Sequence, residues 1–152
     1  MNIVSAKPGH VEAMHSWFTD RESIHQWGGP EFRFPFTHET SLEDIHWQAM
    51  ATYCAIDNQQ IVAFGQYYRK LGRCHLARLA VDPGKRSQGL GSRFVTALME
   101  IGKLDLKLNS CSLFIMSDNK RALACYRSVG FIESEWPAGQ EYLSGISFMV
   151  TP

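Results

Sequence analysis

The stretch from Cys74 to Lys103 restricts the possible folds most, because it changes from a strand pattern to a helix pattern across a short glycine-containing loop. Cys74 to Val81 is predicted to be a strand that ends at Asp82-Pro83, since proline cannot donate to a sheet ladder. A strand followed by a helix favours an α/β fold, in which the helix covers one face of a sheet. The helix is predicted from about Ser92 to Lys103 because apolar residues recur at helical spacing: Phe94, Val95, Leu98, Met99 and Ile101.

Further strands are predicted on both sides of this unit. Asp57-Asn58 is turn chemistry between two β-rich runs, so these runs are expected to form a hairpin. Strands grouped early, followed by a strand-helix-strand unit, indicate one sheet of mixed strand direction. The other expected strands are Met1 to Ala6, Tyr53 to Ile56, Ile61 to Tyr68, Cys111 to Met116, Phe131 to Glu133 and about Tyr142 to Val150.

Three more helices are expected, which makes about four in all. The first follows Pro8-Gly9, where apolar residues return at helical spacing. The second is expected to start at a capping Ser41, because acidic residues follow it in the first turn, and to run to about Ala51. The last is capped by Asp118-Asn119 and stopped by Gly130.

Length, charge and cysteine usage bound the class of protein. The 152 residues fit one domain, and 15 basic residues balance 15 acidic ones, so neither nucleic acid nor an anionic membrane is an expected partner. No apolar run approaches the ~20 residues of a membrane helix, and the first residues lack the apolar stretch of a signal peptide, so a cytoplasmic protein is expected. The four cysteines and six histidines lack metal-ligand spacing, so reduced thiols and no metal are expected.

The loop KRSQGLG, Lys85 to Gly91, has the chemistry of an anion site. Free backbone N–H groups at a helix start attract anions, Gly89 and Gly91 let the backbone approach a diphosphate, and Arg86 adds positive charge. The loop matches neither a Walker loop, which requires Ser or Thr after Gly-Lys, nor the Rossmann pattern, whose third glycine position holds Phe94. The alternative is a glycine-containing turn without a ligand.

Two separate blocks of the sequence resemble the GNAT family of N-acetyltransferases. The stretch LAVDPGKRSQGLG, from Leu79 to Gly91, is similar to the family's acetyl-CoA motif R/Q-x-x-G-x-G/A after a strand that ends in V-x-P. The stretch NKRALACYRSVGF, from Asn119 to Phe131, is similar to the family's N-x-x-A-x-x-x-Y-x-x-x-G-F block. The two blocks come in the family's order, and the resemblance covers nearly the whole chain.

This resemblance implies the fold and the acetyl donor. The fold would be a mixed, mostly antiparallel sheet in which the strands Cys74 to Val81 and Cys111 to Met116 are parallel neighbours that splay apart. The pantetheine arm of acetyl-CoA would enter the gap, and loop amides would hold the pyrophosphate. The residues implied to bind acetyl-CoA are Leu79, Val81, Arg86, Ser87, Gln88, Gly89, Leu90, Gly91, Ser92, Asn119, Ala122 and Tyr126.

The resemblance also implies catalytic roles for single residues, and each of these roles has an alternative. The resemblance implies that the Tyr126 hydroxyl protonates the departing CoA thiolate, although Tyr126 also fits an apolar core stripe with Leu123. Asn119 could cap its helix or hydrogen-bond the cofactor arm. Some members carry a glutamate base where this sequence has Phe114. Others place one on the strand before the acetyl-CoA motif, where this sequence has His75. A neutral imidazole there could accept a proton, although a lone strand histidine is more often structural.

The segment from His25 to Thr40 reads HQWGGPEFRFPFTHET and is expected to be an irregular loop, since Gly-Gly-Pro and a second proline prevent a regular helix. By resemblance it borders the acceptor pocket. Its rings suit contact with an amine, and Glu31 could attract a cation. The alternative is that the rings anchor the loop to the core. The candidate acceptor-binding residues are Trp27, Glu31, Phe32 and Phe34, with Phe36 beside them.

These features predict an N-acetyltransferase of one domain, residues 1–152, that transfers an acetyl group from acetyl-CoA to a primary amine. Direct attack in a ternary complex of a monomer or homodimer is expected, without a metal. The alternatives are a non-catalytic acyl-CoA-binding or sensing domain on the same fold, and a related enzyme that uses another acyl-CoA or a peptide acceptor.

Overall fold

One seven-stranded sheet organises the molecule in the computed structural model, which describes residues 1–152. The spatial order of the strands is β1-β2-β3-β4-β5-β7-β6. Neighbouring strands are antiparallel except for the pair β4 and β5. The strands are β1 (Asn2–Ser5), β2 (Ala51–Asp57), β3 (Gln60–Lys70), β4 (Arg73–Val81), β5 (Cys111–Met116), β6 (Ile132–Ser134) and β7 (Ile146–Val150).

Five α-helices cover the two faces of this sheet. The longest helix packs on β3 and β4, and one of the early helices packs on β4. No helix combines the length and the apolar character needed to cross a bilayer. The helices are α1 (Pro8–Ala13), α2 (Arg21–Gly28), α3 (His38–Asp44), α4 (Leu90–Leu106) and α5 (Lys120–Ser128), with short 3-10 turns at His15–Trp17 and Pro83–Lys85.

The fold confirms the predicted mixed sheet with one parallel pair. That pair is short, because β4 and β5 are in register only at Cys74 with Cys111 and at His75 with Ser112. Beyond these positions the facing edges of the two strands no longer pair. Because backbone N–H and C=O groups need partners, the separated edges can bind an extended ligand.

A bulge interrupts β4 close to this separation. Gln66 pairs with Ala77 and Phe64 pairs with Ala80, so Arg78 and Leu79 lie opposite a single residue, Gly65. Arg78 has φ 50°, a left-handed conformation that is uncommon for a residue with a side chain. Gly65 accommodates the bulge, since a Cβ atom there would lie 2.7 Å from the Leu79 Cδ2 atom.

The two faces of the sheet carry separate apolar cores. Helix α4 buries one face, on which Phe94 and Leu98 are almost fully inaccessible. Helices α1 to α3 cover the other face, around Ile24, Ile45 and Phe64. Where β4 and β5 separate, α4 therefore lies on one face of the sheet and α1 to α3 lie on the other.

The start of α3 differs from the prediction. Ser41 lies inside the helix, buried, and its hydroxyl donates to the His38 carbonyl at 2.7 Å instead of capping. The N-cap is Thr37, whose Oγ1 accepts a hydrogen bond of 3.1 Å from the Thr40 N–H. Thr37 and Thr40 together satisfy the free N–H groups at the start of the helix, as a serine cap would. Ser41 was predicted as the cap only because acidic residues follow it.

Other boundaries were also wrong. The residues from His25 to Gly28 were expected in a loop but form the last turn of α2, which begins at an Asp20 cap that accepts from the Ser23 N–H at 2.7 Å. Helix α4 begins at Leu90, two residues before the predicted start. The last strand begins at Ile146 and not near Tyr142. The hairpin was confirmed, with Asn58 and Gln59 both at positive φ.

Candidate active site

A cleft of about 620 Å³ opens where β4 and β5 separate. It extends from the loop before α4, along β4, to the first turns of α5 and the side of α2. The cleft contains eleven of the twelve residues predicted to bind acetyl-CoA: Leu79, Val81, Arg86, Ser87, Gly89, Leu90, Gly91, Ser92, Asn119, Ala122 and Tyr126. The exception, Gln88, is exposed in the loop and does not line the cleft.

The loop before α4 presents a row of free backbone donors. The N–H groups from Arg86 to Ser92 donate to no acceptor in the chain. Ser87 and Gly89 have φ of 66° and 75°, so the loop departs from regular helix and strand geometry at both residues. Gly89 caps α4 without a side-chain hydrogen bond, and the first turn of the helix holds no acidic residue. The loop can therefore accept an anion.

The two loop glycines have different roles. A Cβ atom at Gly89 would meet nothing within 4 Å, so Gly89 is required by its φ of 75° and not by space. A Cβ atom at Gly91 would lie 3.4 Å from the Cys125 Sγ atom on α5. That distance is an ordinary van der Waals contact, so packing against α5 does not by itself require glycine at this position, and the expected role of Gly91 at the ligand stays a prediction.

Tyr126 lies on α5 and lines the cleft. Its side chain is buried, its ring lies edge-on to Phe131 at 6.0 Å, and burial raises the pKa of its hydroxyl, with the nearby Cys125 thiol adding to the effect. No hydrogen bond within the chain contributes to that pKa. The hydroxyl therefore stays protonated at neutral pH and has a proton to donate.

Asn119 caps α5. Its Oδ1 atom accepts a hydrogen bond of 3.3 Å from the Ala122 N–H, and the residue also lines the cleft. The capping alternative from the sequence is therefore present in the structure.

His75 does not line the cleft and is not positioned as its base. The side chain is buried, its Nδ1 atom lies 2.8 Å from the Ser112 hydroxyl, and Tyr68 and Phe114 contact the ring edge-on. Burial, with a smaller effect of Lys70, lowers the pKa of His75 to about 4. The structural alternative describes this histidine better than the catalytic one, because it sits in a cluster of rings between β4 and β5.

Among the predicted acceptor residues, only Trp27 lines the cleft. Phe32 is buried in the core beneath α2, and Phe34 packs under the Arg21 guanidinium at 5.7 Å. Glu31 is exposed and forms no hydrogen bond or ion pair with a cleft residue. Phe36 packs edge-on against Phe32. The rings of Phe32 and Phe34 anchor the segment and do not line this cleft, and an acceptor role for Glu31, Phe32 and Phe34 stays a prediction.

Several cleft residues were not singled out from the sequence. Trp17 and Phe18 follow α1, and the Phe18 ring stacks on Trp27 with centroids 4.6 Å apart. Their apolar character was visible, but only the fold shows that a 3-10 turn directs them to the cleft. Others that line it are Ser23, Gln26, Arg78, Phe114, Arg121 and Cys125.

The charge of the cleft has one sign. Arg78, Lys85, Arg86 and Arg121 line it, and no aspartate or glutamate does. Nowhere does the structure bring three or more His, Cys, Asp or Glu side chains together as metal ligands. The cleft is therefore suited to anionic groups.

Comparison with known proteins identifies the class. A model of the Acetyltransferase (GNAT) family matches residues 21–131, and the chain belongs to this family. This confirms the resemblance seen in the two sequence blocks and the expected class of enzyme.

Individual relatives are distant. The aminoglycoside N(6′)-acetyltransferase type 1 of Klebsiella pneumoniae is 25% identical over 134 residues, covering 78% of this chain and 67% of that protein. The spermidine N-acetyltransferase of Vibrio cholerae, solved with CoA and spermine, has a TM-score of 0.73 at 16% identity, covering 98% of this chain and 93% of the other. The ribosomal-protein-alanine N-acetyltransferase of Brucella melitensis has a TM-score of 0.71 at 18% identity, covering 99% of both chains. At these identities the two structures support the fold alone.

Proposed function

We propose that this chain transfers an acetyl group from acetyl-CoA to a primary amine, by direct attack in a ternary complex. The observation that carries the proposal is the run of free backbone N–H groups from Arg86 to Ser92 beside a cleft that Tyr126 also lines. That arrangement offers an anion site and a proton donor in one continuous space.

The residues of the cleft fit acetyl-CoA in two respects. A pyrophosphate needs several donors and positive charge, which the loop amides, Lys85 and Arg86 supply. A pantetheine arm is extended and carries amide groups, and the unpaired edges of β4 and β5 beyond His75 and Ser112 offer backbone partners to such a chain. The relative from Vibrio cholerae was solved with CoA, which supports this donor.

The chemistry follows from what acetyl-CoA supplies, a thioester whose carbonyl carbon accepts a nucleophile. A bond forms between the amine nitrogen and that carbon, and the bond from carbon to sulfur breaks. Tyr126 donates its proton to the departing thiolate. No carboxylate lines the cleft and His75 lies outside it, so the amine proton passes to water, and water returns a proton to the Tyr126 oxygen. Backbone amides of β4 are the available groups to polarise the carbonyl.

A non-catalytic acyl-CoA sensor is the second candidate, and the absence of a side-chain base from the cleft favours it. A thiol-release screen with acetyl-CoA separates the two. Its acceptors would be amino acids, small amines, polyamines, aminoglycosides and N-terminal peptides, with thermal melts in acetyl-CoA run in parallel. Turnover with any acceptor supports the enzyme. Stabilisation by acetyl-CoA without turnover would support the sensor, and neither effect would overturn the acetyl-CoA assignment.

A further inference from the structure

Arg78 is a half-buried cation without an ionic partner. Its Nη1 atom donates to the Gln66 Oε1 atom at 3.1 Å and lies 3.5 Å from the Met50 sulfur. Its Nε atom is fully buried and has no hydrogen-bond partner in the chain. The Nη2 atom donates to no group of the chain and is not among the buried polar atoms, so it remains accessible.

Asp44, the carboxylate whose charge acts on Arg78, already forms an ion pair with Arg33. Asp44 contributes to the electrostatic environment of Arg78 without forming an ion pair with it. Both Asp44 oxygens bind the Arg33 side chain, the closer contact being 2.9 Å. Removing a guanidinium from water is unfavourable unless an anion and hydrogen bonds compensate for it. In the free protein the guanidinium has only neutral acceptors, the Gln66 Oε1 atom and the Met50 sulfur.

The surroundings of Arg78 separate it from the anion loop. Leu79 packs against Phe94 and Leu98 on the α4 side, since all three would contact a Cβ atom at Gly65. Arg78 contacts Gln66 and Met50 instead, on the sheet face that α2 covers, and its carbonyl accepts a hydrogen bond from Trp27. Of the four cations in the cleft, Lys85 and Arg86 lie in the loop and Arg121 lies in the first turn of α5. Arg78 is the one beside the aromatic residues.

We propose that the acceptor is an α-amino acid or a similar small amine that carries a carboxylate, and that this carboxylate pairs with Arg78. The inference rests on the proposed acetyl transfer. A guanidinium and a carboxylate have matching planar shapes and can form charge-assisted hydrogen bonds. The apolar part of the acceptor would contact Trp17, Phe18 and Trp27. The amine becomes an acetamide while the thiolate of CoA takes a proton, as in the general reaction.

The same charges disfavour a polycation. A polyamine or an aminoglycoside would bring several positive charges beside Arg78, in a cleft with no carboxylate side chain to pair with them. Like charges at close range are repulsive, and a buried cation without a partner is penalised. The acceptor named for the spermidine N-acetyltransferase of Vibrio cholerae therefore does not suit this cleft.

The test compares matched acceptors. Thiol release at saturating acetyl-CoA would be measured with the proteinogenic L-amino acids, their carboxamides, and spermidine. For the best amino acid, kcat/KM is expected to exceed that of its carboxamide by roughly ten- to a hundredfold, the usual effect of a hydrogen bond between charged groups. Arg78→Met should abolish this ratio, and Arg78→Lys should restore part of it, because lysine keeps the charge but not the fork.

A second variant locates the effect. Arg121→Met removes a cleft cation near α5 and should raise the KM for acetyl-CoA while preserving the carboxylate-to-carboxamide ratio. Equal or faster turnover of the carboxamides or spermidine, or an unchanged ratio in Arg78→Met, overturns the inference. So does turnover of peptides but of no amino acid. If Arg78→Met fails to fold, the ratio of kcat/KM between the amino acid and its carboxamide in the wild type decides alone. Thermal stabilisation by acetyl-CoA reports on the proposed function separately, so a failure of either proposal can be distinguished.

Discussion

The Nε1 atom of Trp27 donates a hydrogen bond of 2.8 Å to the carbonyl oxygen of Arg78. This bond joins the end of α2 to the bulge of β4, across 51 residues of sequence. The carbonyl is free to accept because Arg78 adopts φ 50° and has left the regular ladder. The position of Trp27, which lines the cleft, therefore depends on the bulge in β4.

We expect Trp27→Ala to raise the KM for the acceptor by roughly tenfold or more, the effect of losing a large apolar contact, while the KM for acetyl-CoA changes little. Trp27→Phe, which removes the hydrogen bond but keeps a ring, should lower the free energy of unfolding by about 1 kcal/mol. Steady-state kinetics with both substrates varied, and urea denaturation, would measure these effects.

Trp47→Ala is the matched control for Trp27. Trp47 packs against the same core but does not line the cleft, so its loss should reduce stability and leave both KM values unchanged. If Trp27→Ala shifts both KM values equally, the tryptophan only anchors α2.

Gly89→Ala should impair acetyl-CoA binding. Alanine at φ 75° costs about 1–2 kcal/mol, and relief of that strain would change the backbone of the loop and move its free N–H groups. Wild-type protein at 100 times the dissociation constant of acetyl-CoA should gain about 2.7 kcal/mol of stability, and the variant should gain much less. Thermal melts with and without acetyl-CoA give the comparison.

Gly84→Ala serves as the control for this loop. Its Cβ atom would make an ordinary contact of 3.5 Å with the Asp82 carboxylate, and the residue has no positive φ. Its stabilisation by acetyl-CoA should match that of the wild type. A wild-type protein that acetyl-CoA does not stabilise would contradict the donor assignment.

Tyr126→Phe should lower kcat by roughly 10²- to 10⁴-fold if the hydroxyl protonates the thiolate, with little change in acetyl-CoA affinity. The ring and its contact with Phe131 are retained, so the melting temperature should stay close to that of the wild type. Tyr67→Phe is the converse control. It removes a hydroxyl that donates to Asp105 at 2.7 Å outside the cleft, and should reduce stability without changing kcat. A drop below threefold for Tyr126→Phe, where chemistry limits turnover, would assign Tyr126 to the core.

His75 should make the protein less stable in acid. Its pKa is lowered from 6.5 to about 4 in the folded protein, so between these values the unfolded chain binds more protons and stability falls as pH falls. Between pH 7 and pH 5 this loss amounts to about 2 kcal/mol. Urea denaturation at both pH values should show a smaller pH dependence in His75→Gln than in the wild type. His15, whose pKa burial also lowers, acts in the same direction and is present in both proteins.

The exposed His46 provides the reference substitution, His46→Asn, since asparagine tolerates the positive φ of that position. The pH dependence of His75→Gln would be compared with that of this variant and of the wild type. If His75→Gln also matches the wild type, the buried imidazole does not account for the loss. A fall in kcat at neutral pH on replacing His75 would return it to the list of catalytic candidates.

Local patterns predicted the elements of the fold but not their ends. The apolar spacing of α4 and the turn at Asn58 each depend on neighbouring residues, so they could be recognised without the rest of the chain. The ends of α3 and α2 depended on which of several polar residues capped them. Thr37 and Ser41 are both good caps, and the burial of Ser41 against His15 decided between them.

By itself the sequence predicted the donor site at Arg86, Gly89 and Gly91, because these residues lie within a few positions of one another and could be recognised as one loop. The positive φ of Gly89 fits that prediction. The tertiary structure alone decided which side chains face the cleft. Phe32 and Trp27 belong to the same aromatic segment, yet one lies in the core and the other beside Arg78. His75 and Leu79 share a strand, and a bulge between them changes which face each residue joins. Such choices depend on contacts between distant segments, which no local pattern encodes.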